Sequence, residues 1–165
     1  MKKKLVSILI FLVLVLMLSV TVALAKAQRT ALEGQEHVAI AGAPGSAQEA
    51  DGWLQLRDIP FEGTFDFGTM SGTETQLLNA KVNPATGEGH VWGKVTYIDS
   101  ATGVTCSGLR EGELTDFYIT AKIVAQCSDG SILKGTLQDI ELTFPPGAPA
   151  PSEVISHFNG ELLSP

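Results

Sequence analysis

The sequence predicts an all-β protein, an antiparallel barrel or sandwich of about eight strands, preceded by a signal peptide and a flexible lead-in. Three observations carry the fold class. Apolar residues recur at every second position in several runs, Gly, Pro, Asn and Asp clusters separate those runs, and no window of comparable quality has a helical period.

The first segment, residues 1–25, is read as a signal peptide. Lys2, Lys3 and Lys4 precede an apolar stretch from Leu5 to Leu24, and the small residues Ala23 and Ala25 suit a signal peptidase. The rival reading is an uncleaved N-terminal membrane anchor, since the run is long enough to cross a bilayer. Cleavage implies a secreted or envelope protein without stable membrane insertion.

Residues 26–52 are rich in Ala, Gly, Gln and Glu with no clear period, and read as a linker or poorly ordered lead-in. Within them, His37-Val38-Ala39-Ile40 is a candidate short strand. Residues 53–165 read as a single β domain. Trp53 opens its first strand. Phe61, Gly63, Phe65 and Phe67 alternate with Glu62, Thr64 and Asp66; Val91, Gly93, Val95 and Tyr97 alternate with Trp92, Lys94 and Thr96. Phe117, Ile119, Ala121, Ile123, Ala125 and Cys127 form the longest apolar face.

Turns are predicted at Asn83-Pro84-Ala85-Thr86-Gly87, at Asp99-Ser100-Ala101-Thr102-Gly103 and at Ser128-Asp129-Gly130. A three-residue loop with Gly130 left-handed sets Leu133 opposite Ala125 and Leu137 opposite Ala121, whereas a two-residue turn would set Lys134 against Ala125. The inward set then shifts parity to Ile140, Leu142 and Phe144, which predicts a β-bulge near Gln138. Pro145–Pro151 reads as a stiff extended excursion, and Val154 to Leu163 as the last strand.

Charge and cysteine content narrow the function. The 165 residues hold 11 basic and 18 acidic side chains, net −7; removing the three leading lysines leaves 8 against 18, net −10, on 140 residues. One core fits that length, and so acidic a chain is a poor partner for nucleic acid. Cys106 and Cys127 predict one disulfide in an oxidising compartment. A tight hairpin around Glu111-Gly112 would instead put Cys106 near Phe117, leaving the thiols too far apart.

His37, His90 and His157 stand in no metal-ligand spacing, so neither a metal nor a cofactor is expected. Glu111, Glu113 and Asp116 cluster within one predicted turn; they are candidate calcium oxygens, but lack the order of a dedicated loop and read better as a solvated acidic turn. No nucleophile motif occurs, and no catalytic residue is assigned. Trp92, Tyr118 and Trp53 mark a candidate binding surface. The expected function is an exported, non-catalytic β module that binds a ligand, polymer or envelope partner or serves structurally. The alternative is a small secreted barrel enzyme, an isomerase or hydrolase, with acids such as Glu74 and Glu88, and His90, converging in an internal pocket.

Gly89-His90-Val91, Val95-Thr96-Tyr97-Ile98-Asp99, Thr102-Gly103-Val104, Thr64-Phe65-Asp66-Phe67 and Asn159-Gly160-Glu161-Leu162 together resemble a pattern of post-COAP-type β domains. The resemblance implies an exported bacterial module and carries no catalytic residues with it.

Overall fold

A computed structural model describes residues 28–143 and 152–165. Residues 1–25, read from the sequence as a signal peptide, and the proline-rich stretch read as an excursion, with Phe144, lie outside the described residues.

Among the described residues, nine antiparallel strands form one sheet: β1 (Gln28–Ile40), β2 (Ser46–Ala50), β3 (Trp53–Asp66), β4 (Ser71–Val82), β5 (Gly89–Asp99), β6 (Thr105–Thr115), β7 (Tyr118–Cys127), β8 (Ile132–Thr143) and β9 (Glu153–Ser164). Their order is β1-β9-β8-β7-β6-β5-β4-β3-β2, and β1 also pairs with β3. That last pairing closes eight strands into a barrel and leaves β2 as a short extra strand on β3.

The seam between β1 and β3 rests on two glycines. A Cβ on Gly63 would collide with the His37 carbonyl oxygen, and one on Gly34 with the Asp66 carbonyl. The barrel can close there only because neither residue has a side chain.

β1 corrects the sequence reading, which ended the flexible lead-in at residue 52 and began the domain at 53. Gln28–Ile40 is a full barrel strand paired on both sides. Its period is masked because two inward positions, Gly34 and Glu36, interrupt Leu32 and Val38. Trp53 therefore opens β3, not the first strand.

Other elements follow the alternation. Phe65, Phe67, Val95, Tyr97, Ile123, Ala125, Leu133 and Leu137 all point inward and are buried. Ala121 faces Leu137 and Ala125 faces Leu133, as the three-residue loop requires, and Gly130 sits at φ 88°.

Two details differ from expectation. The register break in β8 falls between Asp139 and Glu141, so Asp139 faces inward and Ile140 is pushed out, 49 % exposed. β6 also runs straight through Glu111 and Gly112. It turns only at Asp116 and Phe117, both at positive φ, as a two-residue hairpin of the primed kind demands. The longer strand sets Cys106 directly opposite Cys127, and the two form a buried disulfide. The hairpin at Glu111-Gly112, and with it a single turn holding Glu111, Glu113 and Asp116, does not form. A disulfide fits an oxidising, extracytoplasmic setting. Among the described residues, no helix is long and apolar enough to cross a membrane.

The interior is divided along the barrel axis. At the base, where β3–β4, β5–β6 and β7–β8 turn, the core is solid. Phe67 stacks on Phe158 at 4.0 Å between ring centroids, and Tyr97 meets Phe65 and Phe67 edge-on. The disulfide, Leu133 and Leu137 complete that core. At the other end, the mouth, the β4–β5 turn and the β6–β7 tip are joined by a bond from the Phe117 N–H to the Gly87 carbonyl, 3.0 Å.

Candidate functional site

Strand periodicity delivers a set of polar side chains to the middle of the barrel. On β4, Glu74 and Gln76 occupy the same inward row as Leu78, Ala80 and Val82, all buried. β6 contributes Arg110, β1 Glu36, β9 Ser156 and β8, by virtue of its bulge, Asp139; each is buried.

Arg110 is the centre. Its Nη1 donates to Glu36 Oε1 at 2.6 Å and to Gln76 Oε1 at 3.0 Å, and its Nη2 lies 3.5 Å from Asp139 Oδ1. Tyr97 donates its hydroxyl to Glu36 Oε2 at 3.3 Å, and Gln76 Nε2 donates to Glu74 Oε2 at 3.3 Å. Asp139 is held from two further sides, by the Ser156 hydroxyl at 2.7 Å on Oδ1 and by the Ile119 N–H at 2.9 Å on Oδ2. Among the described residues, the buried atoms Glu74 Oε1 and Arg110 Nε have no hydrogen-bond partner.

The electrostatics follow from one cation among three carboxyls. Burial, reinforced by the charge of Glu36, pushes the Glu74 carboxyl up to about 10; it is a neutral acid at physiological pH. Burial also raises Asp139, against the opposing pull of Arg110, and raises the Tyr97 phenol. Arg110 loses from burial but gains more from Glu36 and Asp139, and stays charged.

Between this layer and the mouth is a cavity of about 260 Å³. Its walls are apolar, with Leu56, Ile59, Leu78, Val91 and Phe117 among them, and among the described residues Asp139 is its one charged lining residue. Phe117 reaches it from a left-handed backbone, φ 70°, a conformation that costs a non-glycine residue about 1–3 kcal/mol.

The predicted site residues lie elsewhere. Glu74 is inside, but Glu88 is exposed in the β4–β5 turn and His90 faces out, so the expected convergence of these three does not occur. Alternation put His90 outward with Trp92, and the turn kept Glu88 out of the barrel. His90 instead contacts Glu113 at 3.1 Å and Glu111 at 3.5 Å on the outer wall, while Asp116 occupies the hairpin tip. Among the described residues, no group of three or more His, Cys, Asp and Glu is arranged to hold a metal.

Trp53 and Trp92 are half-buried on the outer wall near the mouth, and both are already engaged. Lys81 lies 5.1 Å over the Trp53 ring and Arg57 5.0 Å over the Trp92 ring, with His90 stacked on Trp92. Tyr118 is exposed two strands further round. Sequence reasoning missed Arg110, Glu36, Gln76 and Asp139.

Fold and site together define a closed eight-stranded barrel with a solid base, a buried ionic layer and an apolar mouth cavity. No protein-family model, curated protein or solved structure matches the chain.

Proposed function

We propose that this chain is an exported binding barrel that takes a small, mainly apolar ligand into its mouth cavity. One observation carries the reading: a cavity of about 260 Å³ whose lining, among the described residues, is apolar except for Asp139. Ligand sites have this composition, apolar walls with few polar groups. Its volume lies just below the roughly 300 Å³ at which pockets for drug-sized molecules begin, so the ligand is compact. The basic start and Ala-x-Ala end of residues 1–25, the disulfide and the resemblance to post-COAP-type domains support export. A purely structural role leaves the cavity without a use.

Thermal unfolding with cyclohexylmethanol, a compact apolar probe, tests the reading. The expected result is a rise in Tm equivalent to about 2.7 kcal/mol at one hundred times Kd, absent in Ala80→Phe, which fills the cavity. Equal shifts in both proteins would place the probe elsewhere and sink the idea.

Asp139 favours a second reading, that of a small barrel isomerase or hydrolase. It meets the cavity and is raised by burial, an environment that suits proton transfer. Against it, both its oxygens are already hydrogen-bonded. Mass spectrometry of bound ligand after long incubation separates the two, since an enzyme returns it altered.

A further inference from the structure

The two ends of the cavity differ in what they offer a ligand, and with the binding reading above that difference decides which end of the ligand goes in first. Leu78 follows Gln76 by one inward position on β4, and Val154 follows Ser156 on β9. Both are buried and line the cavity, so they form its floor, next to the ionic layer. Leu54, Leu114 and Phe117 stand at the mouth, and each is only half-buried.

The floor is sealed against hydrogen bonding. Asp139 borders the cavity, yet its side chain has no exposed surface, and its oxygens are held by Ser156 and the Ile119 N–H. Glu36, Glu74, Gln76 and Arg110 are buried as well and do not line the cavity. Behind Leu78 and Val91, the backbones of β4 and β5 are paired on both sides. Among the described residues, no polar side chain is open to a ligand at this end.

A hydroxyl, carboxyl or ammonium group pushed to the floor would give up its water and find no partner there, a penalty that nothing offsets. A hydrocarbon end in the same place is stabilised by its burial. A polar group left at the mouth keeps its water. As for size, a dry apolar cavity of about 150 Å³ holds benzene, so about 260 Å³ admits one ring with short substituents.

We propose that the cavity takes single-headed amphiphiles, hydrocarbon end first: a ring or short chain seated on Leu78 and Val154, and one polar group left at the mouth beside Leu54, Leu114 and Phe117. A molecule with a polar group at each end is rejected, because one of the two must be buried without a partner.

Calorimetry on the oxidised protein at neutral pH, with two probes of one shape, tests this. Both are trans-substituted cyclohexylmethanols; one carries an ethyl group on the opposite ring carbon and the other a hydroxymethyl group. The ethyl compound is expected to bind at least about tenfold more tightly than the diol, and Ala80→Phe should abolish both. A second measurement reads the orientation in the unaltered protein. Proton–proton contacts in NMR should join the ethyl group to the Leu78 and Val154 methyls, and the hydroxymethyl group to the Phe117 ring. A diol that binds as tightly as the ethyl compound, or the opposite set of contacts, would overturn tail-first entry, while loss of binding in Ala80→Phe would keep the apolar cavity in place. If neither probe binds, both readings fail together.

Discussion

Arg110 and Glu74 show how one barrel position can depend on charge and another on its absence. Arg110 is 2 % exposed and bonded to Glu36 and Gln76 with Asp139 alongside. Replacing it by Met keeps much of the volume and leaves two carboxylates unpaired, so Arg110→Met should lose about 3–5 kcal/mol in urea unfolding. Adding Glu36→Gln and Asp139→Asn to that variant should restore part of the loss. For Glu74 the sign runs the other way from an ordinary salt-bridged acid. Its folded value is about 10 against 4.5 when free, so stability is full below about pH 4.5 and declines as pH rises toward 10. The limiting slope is about 1.4 kcal/mol per pH unit. Glu74→Gln should flatten the stability profile between pH 5 and 9, checked by urea midpoints at several pH values. These residues were partly legible in the sequence. Glu74 and Gln76 share the parity of Leu78, Ala80 and Val82, and Arg110 shares that of Cys106 and Leu114. A polar residue on an apolar row was the available signal. What the row could not tell is that five strands bring those exceptions to one height in the barrel, because register between distant strands is a property of closure.

At the scale of elements, strands with uninterrupted alternation were readable, and strands that carry the site or the seam were not. β7 is apolar at each inward position from Ile119 to Cys127 and was clear. β1 was obscured by Gly34, kept small by the backbone beside it, and by Glu36, kept polar by Arg110. In β8 the change of parity was visible but its position was not: Asp139 looks like an outward residue until Arg110, Ser156 and the Ile119 N–H are seen around it. The seam offers a direct test. Gly63→Ala puts a methyl group against the His37 carbonyl, and should lower stability by about 1–3 kcal/mol in thermal unfolding. In Gly42→Ala the new carbon has only Pro60 nearby, at 3.4 Å, and the change should stay within about 0.5 kcal/mol.

Across the whole molecule, the two ends of the barrel have different tasks. The base concentrates aromatic packing and the covalent bond, which makes it the stable end. The mouth trades core volume for a cavity. The chain's excess of acids is largely borne by exposed positions such as Glu33, Glu62, Glu111 and Glu113, while Glu36, Glu74 and Asp139 are buried in the ionic layer and Asp99 is buried in the β5–β6 turn. Since the disulfide closes a loop with a sequence separation of 21, its removal in Cys106→Ala/Cys127→Ala should cost about 3 kcal/mol. Denaturant unfolding checks this, and cyclohexylmethanol binding at the opposite end should survive wherever the protein remains folded.

The same bond has a mechanical consequence. Because it joins the two strands of the β6–β7 hairpin at the end away from its tip, residues 106–127 form a covalent ring that tension on the termini bypasses. Force enters at Cys106 and leaves at Cys127 without stretching what lies between. The oxidised chain, drawn out fully, is therefore shorter than the reduced one by about 70 Å, at about 3.3–3.6 Å for each of the bypassed residues. The segment shielded in this way carries Arg110 and Phe117, so the ionic centre and one cavity wall stay on a single short loop even when every other strand has been pulled apart.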